Sequence, residues 1–412
     1  MPTTQSKEAG KDEKRKKTQL RLLNIHMMSN IALSLFTFSS RTTLLQQLVK
    51  NDSARMVNIL STWASSIGAA EFLLNPTMGR LSDYYGRKPF MLMSPVACVI
   101  LKTWCALNPS ILALSLEKVI CDGLRTMSGS TMCKAALSDL CTDTKELGNA
   151  IATLYSWAGV TIIGGPLVSS MLTNPRVTFG ISAIWAVGQL IAEWFYLQET
   201  HPVDKRDKEF KGFANPFGMF KLFTISPTLS KLSSMQMLMY LCEPKNMSDI
   251  SSMFQMESLK WTPSKRDIFV SVVGLSFLSG SKVTRMSMKK YGMYGHTSVM
   301  HGLSIIQYLF RAAPYELTTW IGVLIMMVSE TRDKAVAALA TEEAIKNGLG
   351  KGEYSGLAAN LRALMVFTSP FLWSSLYNRG MKTGNGGLPF LGAAIAMVAS
   401  ELILRTIKKK SD

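Results

Sequence analysis

Four ionisable residues interrupt one apolar stretch of this 412-residue chain: Glu117, Lys118, Asp122 and Arg125. Lys118 and Asp122 are four apart and Asp122 and Arg125 three apart, so on a helix they share a face and can pair. Such a set can bind or relay a charged species, or it can be a structural ion pair that neutralises itself. His26 and Asn30 are also four apart. A histidine there can exchange a proton near neutral pH, or it can be a satisfied interior side chain. The six cysteines form no CxxC pair and have no histidine at metal-ligand spacing, so neither a zinc site nor a disulfide framework is expected. Gly348 to Gly356 is glycine-rich but lacks the Lys-Ser/Thr ending of a phosphate-binding loop and follows no predicted strand. With no nucleophile–base constellation either, the chain is read as a non-enzyme without cofactor or metal.

The elements that must position these groups are membrane helices. Hydrophobic residues make up 47% and charged residues 18%, against about 25% charged in soluble domains. Net charge is 45 − 28 = +17. The basic residues come in short bursts between uncharged runs, a membrane pattern rather than that of a nucleic-acid binder. Twelve spans are expected: Leu22 to Ser40, 56–78, 89–107, 110–133, Leu147 to Pro175, Val177 to Ala192, 232–256, 266–283, Tyr291 to Phe310, 316–340, Ala363 to Asn378 and Thr383 to Ser400. About 20 residues span a bilayer, and backbone groups in lipid must pair within the segment, so the spans should be helices. The seventh and tenth are weak: Glu243, Lys245 and Asp249 interrupt one, Glu330, Arg332, Asp333 and Lys334 the other.

With both termini cytoplasmic, the inside segments hold 28 Lys and Arg and the outside loops 10, which fits the positive-inside rule. The outside set includes Arg41. No cleaved signal peptide is apparent; the first apolar segment serves as insertion signal. The expected fold class is thus all-α and polytopic, with twelve helices in two six-helix halves. Its parts are a basic tail (1–20), a first half (21–198), a cytoplasmic linker (199–231), a second half (232–405) and a tail (406–412). A partial echo supports two halves: Arg80-Leu-Ser-Asp-Tyr-Tyr-Gly86 and Arg285-Met-Ser-Met-Lys-Lys-Tyr-Gly292, whose glycines are 292 − 86 = 206 apart.

The sharpest motif is Gly79-Arg-Leu-Ser-Asp83-Tyr-Tyr-Gly86-Arg87-Lys88. Its glycines permit a tight turn, Asp83 suits a helix N-terminus, and Arg87 with Lys88 marks the inside face. This segment resembles the signature loop of the major facilitator superfamily. Gly159, Gly164, Gly165 and Pro166 in the fifth span resemble that family's antiporter motif, with Ser169 and Ser170 where the motif has a glycine pair. Gln198-Glu199-Thr200-His201-Pro202 resembles the family's ending of the sixth span. The likeness runs from about Leu22 to Arg405 and is nearest to tetracycline-resistance-like drug exporters. It implies a secondary carrier of a small organic molecule that works by alternating access, with export or exchange favoured. It also implies a latch at Asp83 and Arg87, and Arg125 as a contributor to proton coupling. His26, Asn30, Asp122 and Arg125 are the cavity or coupling candidates. The expected partners are a small-molecule substrate, membrane lipid and a coupling ion such as the proton, with the chain acting as a monomer. A non-transporting receptor or scaffold on the same fold is the competing reading.

Overall fold

The structure, a computed structural model, describes residues 4–141, 144–210, 212–213 and 215–408. Among the described residues every regular element is helical. The order is α1 (Thr4–Phe36), α2 (Phe38–Leu48), α3 (Ser53–Tyr85), α4 (Lys88–Leu107), α5 (Ile111–Leu116), α6 (Asp122–Leu124), α7 (Met132–Leu140), α8 (Thr144–Ser169), α9 (Pro175–Tyr196), α10 (Pro227–Leu241), α11 (Pro244–Glu257), α12 (Pro263–Ala312), α13 (Glu316–Ser329), α14 (Arg332–Lys346), α15 (Lys351–Lys382) and α16 (Leu388–Lys408). Two π-helical turns, Glu117–Cys121 and Arg125–Thr131, flank α6.

Local sequence sets the ends. Asn174, Ser226 and Thr262 each accept a backbone N–H of the helix they open, and a proline follows each. Proline fits the first turn because its missing N–H has no partner to lose there. Gly86 stops α3 at φ +99°, and Gly292 kinks α12 at φ +67°. These are the two glycines of the sequence echo, and both take a backbone conformation that disfavours a side chain.

Among the described residues, five helical stretches are long and apolar enough to cross a membrane: Glu13–Leu48, Lys88–Leu107, Glu146–Ser169, Pro175–Tyr196 and Leu388–Ile407. The two spans weakened by charge prove to be broken helices. Span seven stops at Leu241 and restarts at Pro244, and span ten stops at Ser329 and restarts at Arg332. Pro244 cannot donate to the Tyr240 carbonyl, and side chains bond the last carbonyls of the broken helix. Asn246 Nδ2 donates to the Tyr240 carbonyl (2.7 Å) and Trp373 Nε1 to that of Leu241 (3.1 Å). The Tyr308 hydroxyl (2.7 Å) and Arg332 (3.3 Å) donate to the Cys242 carbonyl. These donors satisfy the helix end where no water is at hand.

By contacts the chain forms two units, Met1–Leu45 with Thr77–Ala214, and Gln46–Pro76 with Asn215–Asp412. In the first, α4 packs on α9, and α1 on α8 and α9. In the second, α12 packs on α13 and α16, and the segment 46–76 lies on α15. There a Cβ on Gly68 would lie 2.4 Å from the Phe367 amide nitrogen.

Candidate functional site

The fourth span carries its charges on a widened helix. Glu117 and Lys118 lie in the first π-turn, Asp122 opens α6, and Arg125 opens the second π-turn. π-Turns are rare and recur at functional sites. Lys118 Nζ lies 2.8 Å from Asp122 Oδ2 and Arg125 Nε 3.5 Å from Oδ1, so both pairings the spacing allows are made. Ser34 of α1 donates to the same carboxylate at 2.6 Å.

A second triad lies beside it. Glu117, fully buried, receives two bonds from Arg41 (2.7 and 3.1 Å) and one from Lys102 (2.6 Å). Arg41 is not in an outside loop. It belongs to α2 and is 2% exposed. Thr37, in the break between α1 and α2, accepts from both cations. Each triad sets two cations against one carboxylate. A closed recess with no open volume in this state lies between them, lined by Asn30, Ser34, Ser94, Lys102, Asp122 and Arg125.

Asn30 lines the recess, and His26, one helical turn away, does not. His26 Nδ1 is 2.8 Å from Glu193 Oε1 of α9, and both side chains are buried. Asn30 holds His26 Nε2 at 3.0 Å and accepts from Ser94 at 2.5 Å. Of the fifth-span motif, Gly159 and Pro166 are buried, and Gly164 has nothing within 4 Å. Gly165 meets Ala32 and Leu35 of α1 in ordinary contact. Ser169 donates to the Phe36 carbonyl at 2.8 Å, at the break that presents Arg41. This group therefore shapes α1 and leaves the recess to others.

The signature loop is organised differently from the expectation. Asp83 does not cap a helix N-terminus, because α3 runs on to Tyr85 and leaves Asp83 in its last turn. Glu199 takes that place. Its carboxylate accepts the backbone N–H of Arg87 (2.8 Å) and Lys88 (3.1 Å) at the start of α4, where the helix dipole favours an anion. Arg87 pairs with Asp83 at 2.6 Å and with Asp139 of α7 at 3.2 Å, and it also donates to Ser82. Lys88 Nζ donates to the Trp194 carbonyl. Gly86 makes the turn, and a Cβ there would lie 2.4 Å from Glu199 Oε2. Gly79 lies within α3, where a Cβ would meet nothing within 4 Å, and its carbonyl accepts from Ser82 at 2.8 Å.

Arg41, Lys102, Asp139, Glu193 and Glu199 are the site residues that sequence reasoning missed. The partner of each lies in a distant segment, and Glu199 had entered only as part of the sixth-span ending. The only signal was that isolated buried charges need partners.

Apolar helices long enough to cross a membrane, with buried ion pairs between them, define a polytopic membrane protein. The profile of the Major Facilitator Superfamily matches residues 27–329. The chain is 22% identical over 366 residues to the class C tetracycline resistance protein of Escherichia coli, covering 88% of this chain and 90% of that one. Its fold is similar to the crystal structure of the human organic anion transporter MFSD10, with TM-score 0.68, 15% identity and coverage of 94% and 99%. It is also similar to the nucleoside transporter NupG, with TM-score 0.71, 13% identity and coverage of 95% and 99%. The chain belongs to the Major Facilitator Superfamily. It is an integral membrane protein and a secondary transporter.

Proposed function

We propose that this transporter moves small organic anions by alternating access, with the recess beside α6 as its binding site and the proton as coupling ion. The charge count carries this reading. Arg41, Lys102, Lys118 and Arg125 face Glu117 and Asp122, so the set has an excess of 4 − 2 = 2 positive charges. Arg41 and Lys102 are buried and Lys118 and Arg125 partly so, and unbalanced cations away from water favour the arrival of an anion. Arg125 and Lys102 line the recess and are the contacts for a carboxylate or phosphate. The fold likeness to a protein named as an organic anion transporter agrees with this. Asp122 holds Arg125 and Lys118 ready and gives them up to the incoming anion.

On the same reading the chain has twelve spans in two six-helix halves, 21–198 and 232–405, joined by the linker 199–231. It works as a monomer with both termini cytoplasmic. Gly79, Asp83, Gly86, Arg87 and Lys88 form the latch loop, with Arg87 as its hub through Asp83 and Asp139. The test is flux in proteoliposomes for a panel of organic anions and size-matched organic cations, with and without a pH gradient. Anion flux that drops at least tenfold in Arg125→Gln supports the proposal. Flux of cations alone, or anion flux indifferent to Arg125→Gln, refutes it.

A further inference from the structure

The first span holds no acidic residue, yet His26 is fully buried against one. Glu193 reaches it from α9 at 2.8 Å. The hydrogen bonds around the ring admit two protonation states. Ser94 donates to Asn30 Oδ1 (2.5 Å) and Asn30 Nδ2 donates to the His26 carbonyl (2.9 Å), which fixes the amide with its nitrogen toward the ring. His26 Nε2 is then flanked by a donor, Asn30 Nδ2 at 3.0 Å, and an acceptor, the Ser128 carbonyl at 3.1 Å. Neutral imidazole donates from Nδ1 to Glu193 and accepts at Nε2 from Asn30. Imidazolium keeps the Nδ1 bond and donates from Nε2 to Ser128. Neither state leaves the ring short of a partner, and in the imidazolium state the Asn30 N–H that faced Nε2 must turn away from it.

We infer that the His26–Glu193 pair is the carrier's proton-binding site, taking up and releasing one proton at His26 Nε2. This rests on the carrier reading for its use, but not for its chemistry. The groups bonded directly to the pair are neutral, and Lys102, Asp122 and Arg125 lie beyond Asn30 and Ser94 in the recess lining. From α9, Gln189 donates to Glu193 Oε1 at 2.7 Å. From α7 comes Cys133, whose thiol donates to the Leu23 carbonyl. From α4 comes Ser94, and α8 meets α1 further along, at Gly165 and Ser169. Among the described residues no Lys or Arg pairs with Glu193, and its Oε2 has no hydrogen-bond partner. His26 and the neutral Gln189 amide thus share Glu193 Oε1, and the imidazole is the one titratable group bonded to it among the described residues.

Two other buried histidines sharpen the assignment. His296 has only the Thr331 carbonyl at Nε2 and no partner at Nδ1, so its surroundings fit one state. His301 bonds Glu401 and Ser400, but Glu401 is already neutralised by Arg405 at 3.1 Å and accepts from Ser298. The chain also links proton to substrate, because Asn30 and Ser94 line the recess.

The test is infrared difference titration of the full-length protein in liposomes across about pH 5 to 8, where histidine changes charge. The proton is the only probe, so no substrate is needed. An imidazole–carboxylate signal is expected, lost completely in His26→Gln and in Glu193→Gln, kept in His296→Gln and His301→Gln, and restored by Glu193→Asp. Melting curves of each variant separate loss of signal from loss of fold. A signal that survives both His26→Gln and Glu193→Gln, or no such signal in the unaltered chain, overturns the inference. If pH-gradient-driven anion flux persists while that signal proves insensitive to the pair, the pair fails and the carrier reading stands. If the signal is as expected but no anion moves, the reverse holds.

Discussion

Removing the Glu117 charge should harm this protein far more than removing a cation that pairs with it. Glu117 is 0% exposed, Arg41 2% and Lys102 1%. All three of its bonds, at 2.6 to 3.1 Å, come from those two cations. Glu117→Gln leaves two buried cations facing an amide, a loss of about 3 to 5 kcal/mol by the behaviour of broken buried ion pairs. In a helical unit of this size that lowers the melting temperature by on the order of 10 °C. Lys102→Met is different. Arg41 and Glu117 remain a two-bond pair of zero net charge, and an apolar chain of similar length fills the space beside Phe179. The cost there should be below about 1.5 kcal/mol. The double variant should regain part of the Glu117→Gln loss, since one of the two orphaned cations is gone. Tryptophan fluorescence melting of the purified full-length chain reads all three. Equal losses for Glu117→Gln and Lys102→Met, or no recovery in the double variant, would show that the triad is not held by charge.

Three more outcomes follow from single contacts. Gly86→Ala forces a side chain onto a left-handed backbone and pushes Glu199 from the start of α4. Together these cost about 2 kcal/mol, and limited proteolysis should cut near residue 86 faster. Gly68→Ala drives a Cβ into the Phe367 backbone and should cost about 1 to 3 kcal/mol in a melting assay, whereas Gly79→Ala, with open space around it, should be neutral or stabilising. Asp139→Asn should weaken the latch more than Asp83→Asn, because the Asp83 side chain is 41% exposed and that of Asp139 17%; transport rates of the two variants decide it.

Much of the fold was written in local pattern, because a bilayer imposes one length and one kind of secondary structure on each span. The misread parts have a common cause. Charges at 243–249 and 330–334 made two spans look doubtful as helices, and with them the transporter reading. In three dimensions those charges stand at helix breaks, where Arg332 closes the Cys242 carbonyl and pairs with Glu330 at 2.8 Å. A window along the chain counts such a charge as a cost, while the fold uses it as a cap. Arg41 was assigned to a loop for the same reason: a charge after an uncharged run resembles a span end until Glu117, 76 residues away, is placed beside it. Asp122 with Lys118 and Arg125 was legible because all three partners lie within two helical turns. Glu193 was not, since His26 lies 167 residues earlier.

If the proposed His26–Glu193 pair carries the proton, the charge arrangement gives coupling a definite sign. With neutral His26 and ionised Glu193, the recess and its flank carry four cations and three carboxylates, 4 − 3 = +1. Protonating His26 raises this to +2, one hydrogen bond away from the recess through Asn30. An anion then binds more tightly, and by linkage a bound anion tightens the proton by the same factor. Proton and anion thus favour the same state of the carrier and should travel together, whereas the likeness to antiporters implied exchange. Typical couplings of 1 to 3 kcal/mol correspond to roughly 5- to 150-fold in affinity. The apparent affinity for a carried anion in proteoliposomes should therefore rise as pH falls on the binding side. It should become flat in His26→Gln. An affinity that falls on acidification would mean that the proton and the substrate compete, and the charge argument would fail.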